Sequence, residues 1–421
     1  MRISRRDFMK IAAASAALAA IDWDRVVRAA AQAVGKGKYN IIWFEAQSCT
    51  GDTSALLLAT DPDILQVLAG HLHAVGPGTV NLAFHDAVMP EWGKSAMDIL
   101  YRAVAGELDP FVLVVEGTIA VDEKAGGPPG SNYWCYVGKE HGEPVSCLEW
   151  IRRLMKRAAA VVAVGNCSSY GGIYSNRVIE QEFFKKYGFT AFLEYPKLGR
   201  SMSPTGCVGF LDNKAKGFKG LLSLLGEEAE PYRRFLEGRD CKLLQNCKPF
   251  VSVPGCPANG DATLKTLAHV VLALEGLMPL TRDQFDELAR PKYFFLETTH
   301  NNCPRAGHYA AGRWRKYPGD GSQYCLWGVG CKGPVSHCPW NRLGWVSGVG
   351  GCVRQGSVCM GCHEPGFSDS FEPFYEKLPY VFASTKDLFN ALVGAAAAAA
   401  VIGVASGALA YLKSKRGGSH A

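Results

Sequence analysis

From Tyr39 to about Arg290, short apolar runs alternate with stretches whose apolar positions recur at helical spacing. The runs Tyr39–Glu45, Val80–Phe84, Phe111–Glu116, Ala160–Val164 and Phe250–Val253 read as strands. The stretches Ala55–Leu68, Ser95–Ala105, Cys147–Ala158, Val178–Tyr187 and Ala262–Leu274 read as helices. Strand then helix, repeated, predicts an α/β domain over residues 38–290, a doubly wound sheet of mostly parallel strands.

After residue 290 that rhythm stops. Gly, Pro, Trp and Cys dominate residues 291–382, and few segments are periodic enough to build an apolar core. Such a region needs an inorganic staple. Residues 173–248 exceed what one crossover requires and carry Cys207, Cys241 and Cys247, so they read as a partly helical insertion.

The 421 residues are 48% hydrophobic and 20% charged, which excludes a disordered chain or a disulfide miniprotein. The net charge of +6 comes from the two ends: residues 1–40 contribute +5 and residues 413–421 contribute +3, leaving about −2 for the body. A nucleic-acid footprint on the body is therefore not expected.

Both ends read as addresses. Arg5 and Arg6, with Phe8 and Lys10 in register and an apolar run to Ile21, predict a twin-arginine export signal within residues 1–33. That route carries folded proteins, so thiols can be loaded with metal before export. Residues 388–412 form 25 positions without a charge, about 37 Å as a helix, followed by Lys413, Lys415 and Arg416. They predict a transmembrane helix with a basic cytoplasmic tail at 413–421 and the body on the extracytoplasmic side.

Of 15 cysteines, seven fall between Cys303 and Cys362. Such density means disulfides or metal. Three others, Cys49, Cys167 and Cys256, sit just past predicted strands. In a doubly wound sheet the carboxyl ends of the strands share one crevice, so these thiols are expected to converge there. Further on, His300 and Cys303 precede Cys325 and Cys331, and Cys338, Cys352, Cys359 and Cys362 follow. Two four-ligand sets fit this order, one with a histidine and one of cysteines alone; zinc and a four-iron cluster both accept either. Cys135, Cys147, Cys207, Cys241 and Cys247 match no ligand position and read as buried or locally paired thiols, and His269 as a core histidine.

The strings Cys49-Thr50-Gly51, Gly165-Asn166-Cys167, Pro254-Gly255-Cys256-Pro257, His300-Asn301-Asn302-Cys303-Pro304-Arg305, Gly330-Cys331-Lys332-Gly333-Pro334 and Cys359-Met360-Gly361-Cys362-His363-Glu364-Pro365 occur in the order found in one family. Over nearly its whole length the chain resembles the small, electron-transferring subunit of membrane-bound nickel-iron hydrogenases. The resemblance implies a flavodoxin-like sheet, an irregular cluster-binding domain, and three iron-sulfur clusters in a row. It matches Cys49, Cys167 and Cys256 to a proximal cluster, Cys338, Cys359 and Cys362 to a medial one, and His300, Cys303, Cys325 and Cys331 to a distal one. The distal and medial clusters are expected to be of the 4Fe-4S type. Glu116 reads either as a hydrogen-bond partner or proton-path member near the proximal site or, equally, as a structural carboxylate.

This chain departs from the family at two positions. Asp52 stands where a proximal cysteine is usual, predicting a 4Fe-4S cluster with a carboxylate ligand, a 3Fe-4S cluster, or ligation by a free cysteine such as Cys207 from the insertion. Cys352 stands where many members carry proline, adding a fourth medial thiolate. The implied partners are a nickel-iron large subunit, where H2 is split, then a membrane cytochrome b or similar quinone-linked protein, and membrane lipid. No catalytic residue is assigned to this chain. The competing readings are a cluster-bearing subunit of a complex I-like or sulfur-reducing oxidoreductase, whose relative lacks the second cysteine-rich region, and an exported structural protein stapled by zinc or disulfides.

Overall fold

A computed structural model describes residues 39–60, 63–64, 81–127, 130–176, 203 and 205–377. The predicted export signal, the helix at 178–187 and the span at 388–412 lie outside them. Among the described residues no helix is long and apolar enough to cross a membrane.

Five strands form one parallel sheet: β1 (Asn40–Glu45), β2 (Asn81–His85), β3 (Phe111–Glu116), β4 (Ala160–Val164) and β5 (Phe250–Val253). Their spatial order is β2-β1-β3-β4-β5, the order of the flavodoxin-like doubly wound fold. Side chains alternate between two faces. Ile42, Phe44, Leu113, Val115, Val161 and Ala163 enter one apolar core, while Ile41, Trp43, Val112, Val114, Val162 and Val164 enter the other. Burial on both faces explains why these strands read as continuous apolar runs.

The helices close both faces. On one lie α2 (Gly93–Ala105), which buries Ala96, Leu100 and Ala103, and α3 (Cys147–Arg157), which buries Leu148, Trp150, Ile151 and Leu154. Ser146 caps α3 by accepting the Glu149 amide at 3.2 Å, and Lys156 and Arg157 complement the dipole at its other end. On the opposite face lies α6 (Gly260–Leu274), capped by the Asn259 side chain and buried through Leu264, Val270 and Val271. Two shorter helices are α4 (Gly165–Tyr170) and, in the insertion, α5 (Glu230–Glu237).

Of the helix expected at Ala55–Leu68, residues 57–60 are turn and coil and residues 65–68 lie outside the described ones, while Ala55 and Leu56 end the short α1 (Gly51–Leu56). Its first-turn amides, those of Asp52 and Thr53, donate to the carboxylate of Glu116 at the end of β3, both at 3.1 Å. A cap supplied by another strand leaves no local signal.

One alignment in the sheet positions everything that follows. Glu45 pairs with Glu116, Glu116 with Val164, and Val164 with Val253, so β1, β3, β4 and β5 end level with one another. Cys49 and Cys256, on loops, and Cys167, in α4, follow these strands at this edge.

The cysteine-rich stretch, as far as Glu376, belongs to the same compact unit as the sheet. It consists of short helical turns, among them Ala306–Ala310, Leu326–Val329 and Trp340–Leu343. Its own apolar cluster buries Leu326, Val329, Val353 and Val358 together with the Cys331 and Cys359 side chains, and Cys303 and Met360 pack against it.

Candidate metal centre

Cys135 and Cys147 form a disulfide, as do Cys241 and Cys247. Ten of the other cysteines are those predicted as ligands; the eleventh, Cys207, is buried and donates its thiol to Gln47 Oε1 at 3.0 Å. The pairing at Cys135 is set by the antiparallel hairpin Tyr136–Glu140/Glu143–Ser146 that returns to the start of α3. His269, facing Pro279 O at 2.9 Å, is part of the packing of α6.

At the sheet edge, Cys49, Cys167, Cys256 and Asp52 lie close enough for burial and mutual repulsion to act together. The Cys167 thiol is pushed up by burial and then by Cys256, Asp52 and Cys49. That of Cys256 is raised to about 11 by burial, Asp52 and Cys49. Two glycines make the approach possible. A Cβ on Gly172, whose φ is +55°, would fall 2.5 Å from Cys167 Sγ, and one on Gly51 would fall 2.9 Å from Cys49 Sγ.

Asp52 is anchored from the opposite side. Its Oδ1 accepts the Ala258 amide at 2.6 Å, two residues past Cys256, and its Oδ2 rests where a Cβ on Gly165 would be. Burial, and next the Glu116 charge, raise this carboxyl to about 8, against a smaller lowering by the Ala258 amide. Beneath it Glu116, fully buried, accepts from Trp43 Nε1, Ser48 Oγ, Asp52 N, Thr53 N and Thr53 Oγ1. These bonds make Glu116 both a hydrogen-bond partner beside the Cys49–Asp52 group and a structural tie: the carboxylate joins the loop that carries Cys49 and Asp52 to the end of β3.

In the cysteine-rich stretch a second group converges. The half-buried Cys338 has its thiol raised well above the ordinary range by burial, then by Cys362, Cys359 and Cys352. Burial and the neighbouring Cys331 thiol raise Cys359 to about 12. A third group, His300, Cys303, Cys325 and Cys331, lines one pocket with Thr299, Trp327 and Val353.

A recurring local geometry favours the thiolate form. The amide two residues on donates to sulfur at Cys303 (from Arg305, 3.3 Å), Cys325 (from Trp327, 3.4 Å) and Cys331 (from Gly333, 3.4 Å). Amides of Trp340 and Gly361 do the same for Cys338 and Cys359. Donors aimed at sulfur, around thiols that burial alone keeps protonated, fit a cationic metal centre that supplies the missing positive charge.

The groups are also joined to one another. The Cys359 amide donates to Cys331 Sγ at 3.4 Å. Asn166, beside Cys167, donates to Cys362 O at 3.0 Å and Glu364 O at 2.9 Å. Around the second group, Glu364 accepts from Arg290 at 3.0 Å and from the His337 amide at 2.6 Å, a support that sequence reading missed. Burial tends to raise the Glu364 carboxyl, but Arg290 and the His337 donors outweigh it and hold the group at about 2.

Comparison with known proteins identifies the family. The family described as the C-terminal part of the NiFe/NiFeSe hydrogenase small subunit matches residues 295–375. "NADH ubiquinone oxidoreductase, 20 Kd subunit" matches residues 49–270, the sheet and its insertion. The twin-arginine translocation signal matches residues 2–21 and marks the chain for export. The F420 non-reducing hydrogenase II small subunit of Methanosarcina mazei is 30% identical over 95% of this chain and 92% of its own length. Hydrogenase-2 small chain of Escherichia coli is 28% identical over 86% of this chain and 77% of its own. The solved actinobacterial-type NiFe-hydrogenase of Ralstonia eutropha H16 superposes with a TM-score of 0.63 at 30% identity, covering 86% of this chain and 90% of that one. The chain therefore belongs to the small-subunit family of nickel-iron hydrogenases, the iron-sulfur, electron-transferring partner of a nickel-iron large subunit.

Proposed function

We propose that this chain conducts electrons from H2 oxidation on the large subunit through three iron-sulfur clusters to a quinone-linked membrane protein of the cytochrome b kind. Cys49, Asp52, Cys167 and Cys256 hold the proximal cluster. Cys338, Cys352, Cys359 and Cys362 hold the medial cluster, and His300, Cys303, Cys325 and Cys331 the distal one. When bound, the clusters supply one-electron carriers in series.

The observation that carries this reading is the bonding that links successive ligand groups: Asn166, beside Cys167, donates to Cys362 O at 3.0 Å, and the Cys359 amide donates to Cys331 Sγ at 3.4 Å. The chain's residues hold sulfur in fixed places and donate amides to it. A neutral His300 lowers the negative charge of the outer set relative to four thiolates.

In this reading residues 38–290 form the proximal domain, residues 291–382 the medial and distal domain, and 388–412 the anchor that faces the clusters to the periplasm. Removing residues from Leu388 onward then releases dye-reducing enzyme from membranes and abolishes coupling to quinone; continued attachment removes the anchor. Electron paramagnetic resonance of the purified heterodimer at stepped potentials counts the clusters. Three iron-sulfur signals are expected, and a colourless or single-cluster protein overturns the relay.

A further inference from the structure

His363 follows the last predicted medial ligand, and its ring is buried with both nitrogens in contact. Trp340 Nε1 lies 3.1 Å from His363 Nε2, and His363 Nδ1 lies 3.3 Å from Cys362 Sγ. An indole N–H donates and never accepts. Nε2 must therefore present its lone pair, the ring carries its one proton on Nδ1, and that proton points at the Cys362 sulfur. A doubly protonated ring would set two N–H groups against each other at Trp340.

The surrounding packing holds this arrangement. The His363 carbonyl accepts from Arg290 Nη1 at 3.2 Å, and its ring lies 5.8 Å from that of Phe295. Trp340 is wedged between Phe294 and Trp345, with ring centroids 5.9 Å and 6.1 Å away. The neighbouring Glu364 is occupied by Arg290 and His337, so it does not compete for the Nδ1 proton.

We infer that His363, its tautomer fixed by Trp340, donates a hydrogen bond to the Cys362 ligand sulfur and raises the reduction potential of the medial cluster; Trp340 acts as the positioning residue. The inference rests on the assignment of Cys338, Cys352, Cys359 and Cys362 to that cluster. Reduction places additional negative charge on the ligand sulfurs, and an N–H donor stabilises the reduced form more than the oxidised one. The direction opposes the lowering expected from a fourth thiolate at Cys352, so the two influences on this centre offset one another.

The test is a potentiometric titration, followed by electron paramagnetic resonance, of the intact heterodimer as wild type, His363→Phe and Trp340→Phe. In His363→Phe the medial reduction equilibrium should become about tenfold less favourable, a downward shift of about 59 mV for one electron, with the other two midpoints unmoved. Trp340→Phe keeps an aromatic ring but frees the tautomer, so a smaller shift in the same direction is expected. Wild-type protein labelled with 15N-histidine should also show a nitrogen coupling and an exchangeable-proton coupling at the medial signal, both lost in His363→Phe. An unmoved medial midpoint in a variant with all clusters present, or a wild type lacking both couplings, overturns the inference. If His363→Phe fails to assemble, the wild-type couplings and Trp340→Phe decide. A three-iron wild-type medial signal would instead refute the Cys352 assignment, with the couplings still deciding the role of His363.

Discussion

The sheet and the cysteine-rich stretch solve one problem in opposite ways. At the sheet edge the thiols follow β1, β4 and β5, and two large apolar cores hold those strands without any help from the thiols. In the cysteine-rich stretch the Cys331 and Cys359 side chains are part of the small apolar cluster itself, beside four buried aliphatic residues. In the first region the core makes the site; in the second the proposed site completes the core.

The largest expected effect separates the two directly. Stripping iron from the full chain should leave amide protection in Val112–Val115 and Val161–Val164 while protection at Trp327, Gly333 and Cys359 falls toward that of an unstructured chain, read by hydrogen exchange. Equal retention in both regions would erase the distinction. Next in size is Leu113→Ala, in the sheet core, which should cost about 2–5 kcal/mol of stability in denaturant titrations whether or not metal is bound. Dependence of that cost on metal would show that the sheet, too, leans on its cluster.

Two substitutions sharpen the comparison at single ligands. Cys352→Pro should convert the medial cluster to a three-iron form, visible as a new signal in the oxidised protein. Asp52→Ala should remove one iron from the proximal cluster, whereas Asp52→Cys should retain four and shift the midpoint. An unchanged four-iron spectrum in Asp52→Ala would mean that the carboxylate serves only as the acceptor for the Ala258 amide.

The smallest effect concerns pH. Glu45 is raised to about 7 by burial, then by the Glu116 and Asp86 charges, against hydrogen bonds from Thr50 and Thr53. The folded state therefore binds this proton more tightly than the unfolded chain, and the stability it confers is lost as pH rises from the ordinary carboxylate range through 7. Glu45→Gln should flatten that part of the thermal-stability profile; an identical slope assigns it to other groups.

Much of the fold was legible because strand and helix periodicity is a local property. The runs Phe111–Glu116, Ala160–Val164 and Phe250–Val253 coincide with β3, β4 and β5, and the helices expected at Ser95, Cys147 and Ala262 begin within two residues of the observed α2, α3 and α6. The start of α1 was not legible, since its first amides are capped by Glu116 from a strand some sixty residues away.

The sequence by itself determined which residues carry sulfur, carboxylate and imidazole, and in what order, because ligand chemistry is written residue by residue. Only the tertiary structure decided what those groups face. The level ends of β1, β3, β4 and β5 bring Cys49, Cys167 and Cys256 to one edge. The Ala258 amide fixes one oxygen of Asp52, the returning hairpin pairs Cys135 with Cys147, and the Trp340 indole chooses the protonated nitrogen of His363. Each of these depends on a partner distant in the chain or turned toward it by packing, and hydrogen bonds form between neighbours in space whatever their separation in sequence.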